Sequence, residues 1–197
     1  MAKKIGNDPY TEAEYSASVD PAFKALLVQQ TTVHGNGENP YELLNNLLKK
    51  QRSKRLYSNG TTKPMSGLAL HLEAERDVGH SSKLWRNMRN SGNTKGQSVT
   101  KSSGCESHHV VASRAPDAHI ARRIMFGVGI GINDARNGVN LHRIIHHPLH
   151  SDSYYVEVNT RLLTIEDALK LSTLADKEAG VGEELRDMAK DMENGTF

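Results

Sequence analysis

The residues best suited to chemistry in this chain are histidines, and seven of the ten fall between His108 and His150. His108 and His109 are adjacent in ESHHVVA, a short segment whose pattern predicts a β-strand. Neighbouring side chains of a strand point to opposite faces, so one imidazole can bind a divalent cation while the other takes a proton from water. Glu106 shares the face of His108 and can bind the metal or orient its ligand. A surface or core role for the pair fits the pattern equally well.

A second group of histidines occurs in HHPLH, which spans residues 146–150. His146 and His150 are four residues apart, a spacing that places both on one face of a helix within reach of one metal ion. Pro148 predicts that the helix begins nearby, because its first position needs no amide hydrogen. His147 competes with His146 as the ligand, and in a His-rich segment the HxxxH spacing also arises by chance.

Between these groups, Asn137 and Gly138 predict a turn that leads into a second strand over residues 138–141. A buried asparagine amide can accept a hydrogen bond from a catalytic imidazole and select its tautomer. The alternative interpretation is a simple turn in which the glycine adopts positive φ.

The order of these segments is a strand with two histidines, a loop entering a second strand, and a helix carrying histidine. This order resembles the ββα-metal, or His-Me finger, arrangement of HNH nucleases. SHHVVA, INDARNGVNL and HHPLHSDSYYVEVN are more closely similar to the AHH branch of the HNH/endonuclease VII superfamily, often found as toxin modules. Ser107 stands where that family has alanine, and the resemblance covers residues 82–163. It implies an α+β, mostly helical fold with a ββα-metal core and flanking helices.

The resemblance also implies an activity, namely metal-dependent hydrolysis of DNA phosphodiester bonds by an endonuclease. His109 would be the general base that activates water, and Asn137 would orient it. His108 and His150 would be metal ligands. A further similarity to colicin-type DNases would make His146 a third ligand.

The similarity to colicin-type DNases would also give Glu106 a supporting role at the metal site. One divalent ion, whether Mg, Mn, Zn or Ni, would polarise a phosphate oxygen and stabilise the leaving 3′ oxygen. Arginines can clamp neighbouring phosphates, although each is also an ordinary surface residue. The candidates are Arg122, Arg123, Arg136 and Arg143.

The family context implies an antibacterial toxin or effector that acts on DNA, with a cognate immunity protein as its partner. Two alternatives use the same residues differently. A nucleic-acid-binding module would hold a structural zinc with four protein ligands and cut nothing. A ribonuclease would use the same catalytic site on a different polymer.

The charge of the chain is unevenly distributed. Residues 49–101 contain twelve basic and three acidic side chains, whereas residues 152–197 contain five basic and eleven acidic ones. A basic block beside a candidate active site is typical of a protein with a polyanionic substrate. A solvated helix face is the alternative interpretation. The acidic C-terminal part disfavours nucleic acid, so we expect the contact to be one-sided.

The sequence offers no sign of membrane insertion or of a cleaved secretory signal. No apolar run approaches the roughly 20 residues that cross a membrane, and the two lysines near the start are not followed by an apolar stretch. The single cysteine, Cys105, excludes an internal disulfide framework. We expect synthesis in a reducing cytoplasm; secretion without a cleaved signal and delivery into target cells is the alternative.

Composition, together with residues that cap helices or favour loops, divides the chain into two predicted units. Residues 1–80 would be an N-terminal helical extension with a loose start, and residues 81–197 would be the nuclease domain with C-terminal helices. Capping residues or prolines predict helix starts near residues 20, 39, 66, 81, 151 and 164. Residues 91–104, rich in glycine, serine and threonine, predict a loop.

Overall fold

The computed structural model describes residues 11–19, 21–34, 39–51, 67–76, 80–91 and 104–197. The helices are α1 (Glu12–Ser18), α2 (Pro21–His34), α3 (Pro40–Gln51), α4 (Gly67–Arg76), α5 (His80–Asn90), α6 (His119–Gly127), α7 (Arg143–His146), α8 (Asp152–Ala168) and α9 (Leu174–Asn194). The strands are β1 (Cys105–His109) and β2 (Gly138–His142). Short 3-10 turns cover Pro116–Ala118, Ala135–Asn137 and His147–Leu149. The predicted helix starts at Asp20 and Ser66 and most of the predicted loop lie outside the described residues.

The two strands form an antiparallel pair, in which His108 lies opposite Val139 and His109 lies opposite Gly138. Helices make up most of the remaining described chain, so the predicted α+β, mostly helical fold class is confirmed. The second strand also covers the residues for which the sequence predicts it. Within the described ranges, every helix is too short or too polar to cross a membrane.

The C-terminal helices differ from the prediction in where they begin. α8 continues without a break through Thr164, where the sequence predicts a new helix. That prediction is wrong because the Thr164 hydroxyl donates to the carbonyl of Thr160 one turn earlier, inside the helix. The capping box is formed instead by Thr173 and Asp176, directly before and within the first turn of α9.

Buried apolar side chains form two clusters that meet at α4. The larger cluster packs the sheet against α4, α6, α8 and α9. The smaller cluster joins α2, α3 and α4. Leu70 and Ala74 of α4 belong to the larger cluster, whereas Leu72 belongs to the smaller one. Residues on both sides of position 80 therefore share one core, and the division into 1–80 and 81–197 stays a prediction.

Helix α5 lies directly against the sheet at Gly138. A Cβ atom there would lie 2.5 Å from the Sδ of Met88 and 2.8 Å from Cδ1 of Leu84. The φ of Gly138 is −129°, which is ordinary extended backbone. Glycine is thus required at this position for the close approach of α5, and the positive φ considered from the sequence is not adopted.

Candidate metal centre and general base

Three imidazoles converge where β1 meets the segment containing α7 and the start of α8. One ligand atom from each of His108, His146 and His150 lies within 4.8 Å of the others. The Nε2 atoms of His146 and His150 are 3.2 Å apart. Two nitrogens bound to one tetrahedral zinc at about 2.0–2.1 Å would stand roughly 3.3 Å apart, so these rings fit a shared metal ion.

The buried His108 ring is oriented by Tyr154 from α8. The Tyr154 hydroxyl donates its hydrogen to the carbonyl of Val110 at 2.6 Å. It lies 2.9 Å from Nε2 of His108 and must therefore accept from that nitrogen. The neutral His108 ring then carries its lone pair on Nδ1, so Nδ1 is the atom that can bind a metal.

The other two rings are also held on the side away from the cluster. Nδ1 of His146 lies 2.9 Å from the Glu106 carboxylate, which can only accept, so Nε2 carries the lone pair of the neutral ring. Nδ1 of His150 lies 3.4 Å from the Tyr155 hydroxyl. Outer partners of this kind fix the tautomer and direction of metal-binding histidines.

Glu106 lies between His146 and Arg143. Its second oxygen pairs with the Arg143 guanidinium at 3.0 Å. The hydrogen bond from His146, together with the charge of Arg143, lowers the pKa of the Glu106 carboxyl. His147 is exposed, and it forms a second possible metal-binding group with Glu106 and His146. The group that includes the buried His108 contains His146, which supports His146 over His147 as a ligand.

The surroundings of two of the three histidines favour the form that binds metal. Burial, followed by the neighbouring His146 and His150, lowers the pKa of His108 well below its ordinary value. Burial and nearby histidines also lower the pKa of His150. A neutral imidazole is the metal-binding form of histidine, so these shifts favour binding of a cation by His108 and His150.

His109 has different neighbours from His108, as expected for the next residue of a strand. It is 9% exposed. Its Nε2 lies 3.3 Å from Oδ1 of Asn133, and its ring centroid is 5.8 Å from that of His80 in α5. The two adjacent imidazoles therefore contact different side chains.

The expected hydrogen bond from the His109 imidazole to the amide oxygen of Asn137 is not formed: His109 contacts Asn133, and the Asn137 side chain bonds to the backbone. The fully buried Asn137 accepts from the Val111 amide at 2.7 Å, and its Nδ2 donates to the carbonyls of Val111 and Ile132. Asn137 thus holds the backbone after β1 against the backbone before β2. Asn133 of the same INDARNG segment contacts His109 instead, and the sequence pattern alone does not distinguish the two asparagines.

Three of the four arginines considered as phosphate clamps are engaged away from the cluster. Arg122 is buried and donates to two backbone carbonyls. Arg123 pairs with a carboxylate of α8, and Arg136 pairs with carboxylates of its own turn and of α9. Arg143 lies beside Glu106 with 64% of its side chain exposed, which leaves its guanidinium accessible at the edge of the cluster.

One of the comparisons with known proteins identifies the family of the chain. The model of AHH, a nuclease family of the HNH/ENDO VII superfamily with conserved AHH, matches residues 89–192, more than half of the chain. This protein belongs to the AHH nuclease family. Neither the curated proteins nor the solved structures include a significant match. The AHH protein is therefore a nuclease, and its three-histidine cluster can hold a metal ion.

Proposed function

We propose that this AHH protein is a metal-dependent endonuclease that hydrolyses DNA. The convergence of His108, His146 and His150, with each ring oriented from behind by an outer partner, is the observation that supports this proposal most. These three residues would hold one divalent ion, Mg, Mn, Zn or Ni. Three protein ligands leave positions open for water and phosphate, and the exposure of His150 gives access to them. A structural zinc site would instead be closed by a fourth ligand.

The proposed reaction is attack of water on a phosphodiester. A divalent ion, when bound, polarises a phosphate oxygen and stabilises the leaving 3′ oxygen. His109 takes the proton from the attacking water. Glu106 holds His146 in its metal-binding tautomer, and the accessible Arg143 binds a phosphate next to the one that is cut.

The exposed face of α5 supports a polyanionic substrate. Lys83, Arg86 and Arg89 are exposed and three residues apart, so they follow one side of a helix whose opposite side packs on the sheet. Such a row of cations can contact successive phosphates without reading the bases. DNA and RNA share this backbone charge, and we propose DNA as the substrate.

We further propose that the enzyme acts as a toxin or effector on the DNA of target cells, with an immunity protein as its partner. This setting rests on the similarity to toxin-type AHH modules. In this role the protein would be delivered into target cells without a cleaved signal. Inducible expression in bacteria tests it: growth should be at least about tenfold lower with the wild type than with His109→Ala. Equal growth of the two strains would contradict the toxin role.

A supercoiled-plasmid nicking assay tests the nuclease itself. Purified protein is incubated with Mg, Mn, Ni or Zn, with and without EDTA, beside His109→Ala. His119→Ala is the matched control, because His119 contacts the Pro116 carbonyl and lies outside the cluster. We expect metal-dependent nicking that falls about 10²- to 10⁴-fold in His109→Ala and is unchanged in His119→Ala.

Each other outcome points to a different function. Cleavage of RNA but not DNA would replace the proposed substrate while keeping the catalytic residues. If neither DNA nor RNA is cut with any of the metals, the proposed nuclease activity is contradicted. If chelation also unfolded the protein, the structural-zinc binding module would become the better interpretation.

A further inference from the structure

A buried hydrogen-bond network connects His109 to helix α4. Its centre is Asn133, which is 3% exposed. Nδ2 of Asn133 donates to the Glu73 carboxylate at 3.0 Å. Its Oδ1 lies 3.1 Å from Nδ1 of His80 and 3.3 Å from Nε2 of His109. Asn87 of α5 also donates to the Asn133 carbonyl at 2.7 Å, which fixes the backbone of this residue.

The network determines where the proton of His109 lies. A carboxylate can only accept, so Glu73 requires the NH₂ group of Asn133 to face it and leaves Oδ1 facing the imidazoles. An amide oxygen is also only an acceptor, so the ring nitrogen beside it must carry a hydrogen. Neutral His109 is therefore the Nε2–H tautomer, and its lone pair is on Nδ1.

We propose that Asn133, oriented by Glu73, is a positioning residue that keeps His109 in the tautomer needed to deprotonate water through Nδ1. This inference rests on the proposed function, in which His109 is the general base. Asn133 acts on the ring and not on the water. The same hydrogen bond also holds the ring in one rotational position, which a general base needs before proton transfer can be efficient.

The orientation of Asn133 depends on helix α4, which lies before residue 80 in the chain. A Cβ at Gly131 would lie 3.2 Å from Cδ2 of Leu70 and 3.3 Å from Oε2 of Glu73, so α4 lies directly on the loop that carries Asn133. Nε2 of His80 lies 3.2 Å from the carbonyl of Ala74, so the start of α5 lies against the end of α4. Helix α4 thus contributes to the catalytic arrangement although it precedes the matched family region.

The test is the tautomer of His109, measured by NMR on the full chain labelled with ¹⁵N-histidine. Long-range proton–nitrogen correlations report which ring nitrogen is protonated, at about pH 8, where ordinary histidines are neutral. The signals of His109 are identified by their loss in His109→Ala. We expect the Nε2–H tautomer in the wild type and a mixture of tautomers in Asn133→Ala. Glu73→Gln, which keeps the side-chain size but lets the Asn133 amide turn over, should also give a mixture.

Kinetics and metal affinity separate positioning from general damage. In Asn133→Ala, kcat should fall about tenfold to hundredfold, less than in His109→Ala, while KM changes less than about twofold. Binding of Ni²⁺ to the protein, measured by calorimetry, should change less than about threefold. Asn159→Ala is the matched control: the side chain of Asn159 also uses both its oxygen and its nitrogen in hydrogen bonds, but to the backbone of Ala121 and Asp117 and not to the His109 network. Its kcat and its His109 tautomer should match the wild type.

The results distinguish this inference from the proposed function. An Nδ1–H tautomer in the wild type, or an unchanged tautomer in both variants, would overturn the positioning role. If Asn133→Ala does not fold, the tautomer in Glu73→Gln decides. If the wild type cuts no nucleic acid, the proposed function fails, whereas the NMR comparison still shows whether Asn133 and Glu73 set the His109 tautomer.

Discussion

Replacing Asn137 with alanine should destabilise the sheet and its flanking turns. The side chain is fully buried and makes three hydrogen bonds to the backbone, with donor–acceptor distances of 2.7, 2.9 and 3.2 Å. Each such bond contributes about 0.5–1.5 kcal/mol net, so Asn137→Ala should lower the free energy of unfolding by about 1.5–4.5 kcal/mol. Water cannot readily replace the lost partner at a fully buried position, which favours the upper part of this range.

Chemical denaturation monitored by circular dichroism measures this loss, with Asn159→Ala as the control. Asn159 makes two hydrogen bonds to backbone groups but is only half-buried, so water can substitute and the loss should be about 1 kcal/mol or less. A loss of unfolding free energy below about 1 kcal/mol in Asn137→Ala, or one no larger than in Asn159→Ala, would refute the idea that the Asn137 side chain holds the backbone beside the sheet. Full stability with lost activity would instead support the direct action of Asn137 on His109.

Three further predictions concern the metal cluster and the sheet. Glu106→Ala should weaken Ni²⁺ or Zn²⁺ binding about 10- to 100-fold by calorimetry, because His146 loses its outer partner; Glu157→Ala, at an exposed position of α8, should leave the affinity unchanged. The pKa of buried His108 is below 6.5 in the folded protein, so the unfolded chain binds more protons as pH falls through 6.5. The free energy of unfolding of the metal-free protein should therefore decrease below pH 6.5, and denaturation curves that show it rising there would contradict the assigned environment. Gly138→Ala should cost about 1–3 kcal/mol in thermal unfolding, since its Cβ would overlap the side chains of Leu84 and Met88. Gly127→Ala, where a Cβ meets nothing within 4 Å, should cause no loss of stability in the same assay.

Local patterns predicted both strands and the start of α8, but not α7, which carries His146. The helix start expected at Pro148 is a 3-10 turn between α7 and α8. These signals depend on neighbours within a few residues, which a sequence displays directly. The false helix start at Thr164 has the same origin, because a short capping pattern does not reveal that the preceding helix continues.

The metal cluster was partly predictable for a similar reason. The four-residue spacing of His146 and His150 indicated that they lie close together, although His146 ends α7 and His150 follows a 3-10 turn, so the two do not share one continuous helix. The adjacency of His108 and His109 separates their faces in any strand. That both groups meet at one point followed from the family resemblance and not from the spacing. The grouping of His146 with both His108 and Glu106 depends on the packing of α7 against β1, which the spacing does not reveal.

The environment of His109 was decided by tertiary structure alone. Its network joins Asn133 to Glu73 and His80, residues 60 and 53 positions away along the chain. No short motif links such residues, because their contact depends on how α4 and α5 pack against the loop before β2. The sequence determined which residues were capable of the chemistry, since residue type and local spacing set donors, acceptors and faces. The tertiary packing determined which asparagine contacts His109 and which one holds the backbone, since long-range hydrogen bonds form only where the fold brings buried polar groups together.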